Sequence, residues 1–379
     1  MGIRLRIGSP VSGEDFFGRK SELAKASNLI ENNNLMLAAP RRVGKTSFAQ
    51  KMLEIQGLKK WNTIFIDLEE ITSIESFLAS LYRAILNIPE VAISEKISAK
   101  IRRWFSKLEV STSVMPINAK VTLDNNATDI ETLASILNSL EHHTLVVFDE
   151  LTVLLESLSC AHNYEASKIF LNQFRALRMA TAEKCSWLVC SSIGVRNYTS
   201  QHNMSDTIND IADFELGAFS NQEAREFTRQ LSASMGMQMG ESTLTYLLDK
   251  IGWNIPYFIQ LLLSKLPLDT ISTDNIDEAY SLLLQTGAFD TWNERLGKEY
   301  GANEKAAKII LQYLCLTKEG KRKEEIYNYL NAIVAGIEND RLSILLRTLI
   351  TDGYIVKDKC LYRFHSPLLR DFWRETYCN

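Results

Sequence analysis

Ala38-Ala39-Pro40-Arg41-Arg42-Val43-Gly44-Lys45-Thr46-Ser47 decides how this chain is read. A short apolar run, Asn34-Leu35-Met36-Leu37, precedes it, and Phe48-Ala49-Gln50-Lys51-Met52-Leu53 follows as the first turns of a helix. Strand, tight loop and helix are the context in which backbone N–H groups converge on a phosphate. The helix N-terminus behind the loop adds a partial positive charge. Pro40, Arg41, Arg42, Val43, Gly44, Lys45, Thr46 and Ser47 are therefore the expected lining of a nucleotide triphosphate site. Lys45 would reach the β- and γ-phosphates, and the Thr46 hydroxyl would ligate Mg²⁺. Position 39, glycine in the consensus GxxxxGK[ST], is alanine, which is strained there if that residue needs a positive φ.

At 379 residues the chain has room for two or three domains. Its 46% hydrophobic and 23% charged content is that of an ordinary globular protein. The formal net charge of -4 argues against wholesale coating of nucleic acid and leaves room for a local basic surface. The six cysteines, Cys160, Cys185, Cys190, Cys315, Cys360 and Cys378, include no CxxC pair and no histidines at zinc spacing. Buried or free thiols in a reducing cytosol are the plain expectation. There is no signal peptide and no apolar run of roughly 18 residues, so a cytoplasmic protein without a membrane partner is expected.

The other half of an ATPase site is a buried strand ending in carboxylates. Thr144-Leu145-Val146-Val147-Phe148 is a continuous apolar, β-branched run of the kind found in central parallel strands, and Asp149-Glu150 ends it. An aspartate there holds Mg²⁺ through water, and the adjacent glutamate polarises the attacking water. A third strand, Ser186-Trp187-Leu188-Val189-Cys190, ends in Ser191-Ser192, at the sheet edge where ligands of parallel sheets bind. A hydroxyl there suits the γ-phosphate or the lytic water. Upstream, Gly18 in Phe16-Phe17-Gly18-Arg19-Lys20-Ser21-Glu22-Leu23 would let the backbone approach an adenine closely. Downstream, Pro256 in Ile251-Gly252-Trp253-Asn254-Ile255-Pro256-Tyr257 either opens a helix or packs on the base.

In this order the segments FFGRKSEL, APRRVGKTSF, LVVFDE, the strand-end serine pair and GWNIPYF resemble the AAA+/STAND-type P-loop ATPases. More narrowly they are similar to the archaeal-ATPase-like branch and its origin-recognition-like relatives. The resemblance implies an α/β fold: a P-loop ASCE-type parallel sheet core, a helical lid and a C-terminal winged-helix domain. It also implies Gly18 and Arg19 near adenine, Lys45 and Thr46 on phosphates and metal, and Asp149 and Glu150 as the Walker B pair. By the same resemblance Ser192 is the first sensor, and Pro256 belongs to a GxP-like element of the lid. Ala39 and the longer spacing from Gly252 to Pro256 depart from the pattern.

The core is expected over residues 1–217, the lid over 218–299 and the winged helix over 300–379. An insertion at about 87–127 comprises a basic helix (Lys96, Lys100, Arg102, Arg103) and, from Leu108 to Leu123, two strands around Met115-Pro116-Ile117-Asn118. It reads as a solvated protrusion or a partner-contact arm. The helix around 164–182 carries Arg175 and Arg178, either an arginine finger for a neighbouring subunit or ordinary surface charge. Residues 304–379 hold 13 Lys and Arg against 10 Asp and Glu, a balance of +3 that leaves -7 for the rest. Arg341 and Arg347, outside the apolar stripe of Leu342, Leu345, Leu346 and Leu349, are DNA candidates, as are Lys357 and Lys359 flanking the tip of the wing. A protein-docking surface is the alternative.

The function that follows is an ATP-binding, ATP-hydrolysing switch, slow without a partner, coupling nucleotide state to DNA or partner-protein binding or to self-association. The competing reading is a nucleotide-dependent scaffold with little turnover.

Overall fold

The computed structural model describes residues 2–114, 124–159, 163–191, 194–334 and 336–378. The chain divides into two compact units: Lys20–Ala38 with Phe48–Glu215, and Met1–Arg19 with Ala39–Ser47 and Leu216–Asn379.

The first of these is an α/β unit. Its elements are α1 (Lys20–Leu29), β1 (Asn34–Ala38), the body of α2 (Lys45–Leu58), β2 (Asn62–Asp67), α3 (Ile74–Leu86), α4 (Pro89–Ile93), α5 (Glu95–Val114), α6 (Asp124–Asn138), β3 (Thr144–Asp149), α7 (Leu151–Leu158), α8 (Glu165–Ala180), β4 (Cys185–Ser191), α9 (Val195–Gln201) and β5 (Ile211–Glu215). The five strands form one parallel sheet in the order β2-β3-β4-β1-β5. Every residue of β3 and β4 is buried, as expected of strands covered on both faces. The edge strands β2 and β5 show exposed positions between buried ones. Phe77, Phe148, Phe170, Phe174 and Trp187 pack edge-on and tilted against one another under the sheet, with centroids 5.0–5.4 Å apart.

One expectation fails in this unit. The stretch from Leu108 read as a strand continues α5 as far as Val114, and residues 115–123 lie outside the described residues. Ile97, Ile101, Trp104, Phe105 and Leu108 recur at helical spacing. Once that helix is nucleated, extending it costs less than starting a strand, so the local alternation loses.

The second unit continues with α10 (Asn221–Ser234), α11 (Glu241–Ile251), α12 (Pro256–Leu263), α13 (Thr273–Gln285), α14 (Asp290–Glu299), α15 (Glu304–Cys315), β6 (Lys321–Arg322), α16 (Lys323–Ile333), α17 (Asn339–Thr351), β7 (Ile355–Asp358), β8 (Leu361–Phe364) and α18 (Pro367–Tyr377). β6, β8 and β7 make a small antiparallel sheet in that order. Leu342, Leu345, Leu346 and Leu349 are the buried stripe of α17. Pro256 occupies the first turn of α12, where its missing N–H costs nothing. Gly252 closes α11 in the left-handed region at φ +64, and a Cβ there would lie 2.4 Å from Pro367 Cδ at the start of α18.

Candidate functional site

The loop from Ala39 to Ser47 joins β1 to α2, and its shape comes from two residues in the left-handed region, Arg42 (φ 66) and Gly44 (φ 101). Gly44 needs no side chain there: nothing lies within 4 Å of where its Cβ would be, so the backbone is open on that side. Ala39 is buried and is not among the positive-φ residues, so alanine in place of the consensus glycine carries no strain. The Lys45 side chain folds into the loop. Its ammonium donates to the Ala39 carbonyl at 2.9 Å and to the Pro40 carbonyl at 3.1 Å, and the residue is only 7% exposed. Thr46 is the second residue of α2, whose first turn carries no acid to offset the positive end of the helix dipole.

Segments distant in sequence brace this loop. The Ser47 hydroxyl accepts the Val11 N–H at 2.9 Å, so it serves as an anchor for the N-terminal segment. The Arg42 guanidinium lies 4.7 Å from the centre of the Tyr257 ring on α12 and donates to the Gly8 carbonyl at 3.4 Å. Pro40 abuts Gly353, after α17, where a Cβ would lie 2.8 Å from Pro40 Cβ and 2.7 Å from the Trp253 ring. Trp253 in turn stacks on His365 with centroids 4.1 Å apart.

Gly18 and Arg19 are both left-handed, at φ 68 and 62. The Arg19 N–H donates to Glu223 Oε1 at 2.8 Å, while its guanidinium covers the Phe219 ring and reaches the carbonyls of Ala218 and Val43 at 3.4 Å. Arg19 is buried, so its side chain is committed to tying the N-terminal turn to the loop. Phe17, Phe219 and Phe227 form an aromatic cluster beside it. Glu223 belongs to a capping box with Ser220 at the start of α10. Burial alone would raise its pKa, but the Arg19 amide and the Ser220 hydroxyl and amide more than offset that and hold the carboxyl below its ordinary value.

In the α/β unit, β3 delivers Asp149, 3% exposed, with Oδ1 accepting the Glu150 N–H at 3.1 Å. Glu150 is the N-cap of α7 and sits in the left-handed region (φ 55, ψ 43), an uncommon and costly conformation for a glutamate. β4 lies between β3 and β1; Ser191 pairs in register with Ala38, and Val189 with Phe148. The ends of the three strands therefore share one edge. Ser191 is buried and exchanges a 2.6 Å hydrogen bond with Thr152 of α7. Ser192, the expected sensor, lies outside the described residues.

Arg178 is not available as an arginine finger. Its side chain is fully buried, paired with Asp210 at 2.7 Å and bonded to the Thr207 carbonyl. Arg175 donates to the Asp206 carbonyl at 2.7 Å. Of the four DNA candidates, all exposed, Arg341 is bonded to Asn303 Oδ1 and the Ala302 carbonyl. Lys357 lies over the Tyr362 ring, and Lys359 takes the left-handed corner of the β7–β8 hairpin at φ 54. Arg347 is exposed on α17. Sequence reading missed Tyr257, Glu223 and Gly353 as loop braces. Only Glu223 left a local sign, the capping-box pattern Ser220-x-x-Glu223.

The loop fits a polyanion: an ammonium on its own carbonyls, an open glycine backbone, an uncompensated helix N-terminus and no acid between Ala39 and Leu53. The hydroxyl and carboxylate oxygens of Thr46 and Asp149 are of the hard type that suits Mg²⁺.

No family model matches the chain, and no curated protein matches it in sequence. Solved structures do. A Walker-type ATPase of Pyrococcus abyssi aligns over 98% of this chain and 99% of its own at 17% identity, with a TM-score of 0.66. The ORC2 protein of Aeropyrum pernix, solved with ADPNP and ADP, aligns over 97% of this chain and 98% of its own at 13% identity, with a TM-score of 0.57. The chain shares their fold, an α/β core with a five-stranded parallel sheet of the P-loop ATPase type.

The left-handed Arg42 generates a test. A left-handed non-glycine residue costs about 1–2 kcal/mol, which the Tyr257 ring and the Gly8 carbonyl help to offset. Tyr257→Ala is expected to destabilise the chain by about 1–2 kcal/mol in urea unfolding. In an Arg42→Gly background the same substitution should cost about 1 kcal/mol less, because glycine needs no brace. Equal costs in the two backgrounds would show that the ring does not hold this arginine.

Proposed function

We propose that the chain is an ATP-binding and ATP-hydrolysing switch of the AAA+/STAND type, with residues 300–379 acting as a winged helix. The observation that carries this reading is the Lys45 ammonium held on the Ala39 and Pro40 carbonyls inside an acid-free loop. An incoming phosphate offers that ammonium a charged acceptor in place of neutral ones, and charge-assisted bonds are roughly twice as strong. The amides around Gly44 and the first turn of α2 orient the phosphates; Thr46 would ligate Mg²⁺ directly, and Asp149 would hold it through water. Bound Mg²⁺ neutralises charge on the phosphates during transfer. Glu150 orients the attacking water and takes its proton; Ser192 reads the γ-phosphate. Gly18 brings backbone to the adenine, and Pro256 lies on its lid side. The work is cytoplasmic and serves DNA, a protein partner or self-association.

A left-handed glutamate next to a buried aspartate favours hydrolysis over a passive scaffold, because such strain persists where a side chain must be aimed. Lys45→Ala should abolish the rise in Tm that Mg·ATP produces in the wild type. Glu150→Gln should keep that rise and lose turnover at least a hundredfold, the order expected for losing a general base. A Lys45→Ala variant that shifts as much as wild type would place the nucleotide elsewhere, and undiminished turnover in Glu150→Gln would remove the base from this position.

For the C-terminal region, DNA is favoured by the exposed basic residues Arg347, Lys357 and Lys359 and by the +3 balance of residues 304–379. The full chain should bind duplex DNA at low salt and release it as salt rises, because phosphate contacts expel counterions. Replacing Arg341, Arg347, Lys357 and Lys359 by alanine should weaken that binding at least tenfold. Unchanged binding would transfer this surface to a protein partner.

A further inference from the structure

Two thiols that are 63 positions apart in sequence meet in the C-terminal region. Cys315 is the last residue of α15, and Cys378 caps α18. Their Sγ atoms are 3.2 Å apart. Both face one acceptor: Cys315 donates to the Gln312 carbonyl at 3.1 Å, and Cys378 Sγ lies 3.6 Å from it. Cys315 is buried, while Cys378 is partly open to solvent. Of the other described cysteines, Cys185 and Cys190 are buried in β4, and Cys360 is exposed at the β7–β8 hairpin.

We propose that Cys315 and Cys378 are a modification site at which peroxide drives a reversible disulfide between the end of α15 and the end of α18. The division of labour follows from exposure. Cys378 meets the oxidant first: its thiolate attacks a peroxide oxygen, the O–O bond breaks, and a sulfenic acid and hydroxide result. Cys315 then attacks the sulfenic sulfur, the S–O bond breaks, and the hydroxyl leaves as water with the Cys315 proton. Two thiols and one hydrogen peroxide give one disulfide and two waters. Burial and the neighbouring Cys378 push the Cys315 thiol up to about 12, with the Arg374 guanidinium acting weakly the other way, so Cys315 waits as the resolving thiol. Closing from 3.2 Å to a bond of about 2.05 Å asks for about 1 Å of movement. Cys378 stands just past the last helical residue of α18, where side-chain torsions and the cap supply that movement without breaking the helix.

The bond would matter because α18 is a hub of its unit. It packs on α11, α13 and α15; Tyr280 of α13 donates to Asp371 at 2.9 Å, and Ser366 donates to the Ile251 carbonyl at 2.9 Å. A covalent tie at its far end closes a loop of more than sixty residues and restricts the unfolded chain.

The test uses the full chain treated with hydrogen peroxide, with remaining thiols alkylated before digestion and mass mapping. The expected product is a peptide pair joined through Cys315 and Cys378, two hydrogens lighter than its parts and restored by dithiothreitol. It should be accompanied by a rise of several degrees in Tm. Cys378→Ser, a small change at a partly exposed site, should lose both the linked pair and the rise, while Cys360→Ser should keep both. The proposal falls if Cys378 proceeds to sulfinic acid with Cys315 still free, if it links to Cys360 or to a second molecule, or if the linked form melts no higher than the reduced one.

Discussion

An ammonium group enclosed by its own loop is the constraint on which the second unit is built. Lys45 is held by two carbonyls, so the loop must curl around it, and the curl requires left-handed backbone at Arg42 and Gly44. Glycine takes that conformation freely; arginine does not. The cost at Arg42 is offset by a ring from α12 and a carbonyl from the N-terminal segment. Ser47 and Val11, Pro40 and Gly353, and Arg19 and Val43 add further ties. This explains why the first nineteen residues and the loop group with residues 216–379. A loop braced in this way is preorganised, and preorganisation is what lets backbone dipoles act on a bound charge without first spending energy to align.

The sheet poses a different problem. A five-stranded parallel sheet needs helical crossovers on both faces, and its central strands can carry no polar residue except at their ends. β3 and β4 come close to this: Thr144 and Ser186 lie at or next to the strand starts, and Asp149 and Ser191, with Glu150 just beyond β3, lie where the strands stop. With β4 between β1 and β3, the buried bond between Ser191 and Thr152 ties the end of β4 to the helix that follows Glu150. The left-handed glutamate is then determined from both sides, by the strand before it and the tied helix after it.

Much of this was legible in the sequence because it is local. The runs Leu145-Val146-Val147-Phe148 and Trp187-Leu188-Val189-Cys190 are strands in any reading, and the stripe Leu342, Leu345, Leu346, Leu349 announces a helix face. The order of the strands and the braces of the loop were not legible. Arg42 and Tyr257 are 215 positions apart, and neither carries a mark of the other. Arg178 looked like surface charge or a finger because its partner, Asp210, is 32 positions away and belongs to no motif. The residues after Leu108 misled for the opposite reason: a genuine local alternation was overridden by a helix begun thirteen residues earlier. β6, at two residues, is too short for any pattern and exists only because β8 pairs with it.

The central claim is that the loop and the first turn of α2 are shaped to receive a nucleotide's phosphates. Hydrogen–deuterium exchange of the full chain, with and without Mg·ATP, reads those amides directly. The account predicts that the nucleotide slows exchange most strongly in the peptides covering Ala39 to Ser47. Protection confined to other segments, with these amides exchanging as they do in the free protein, would contradict it.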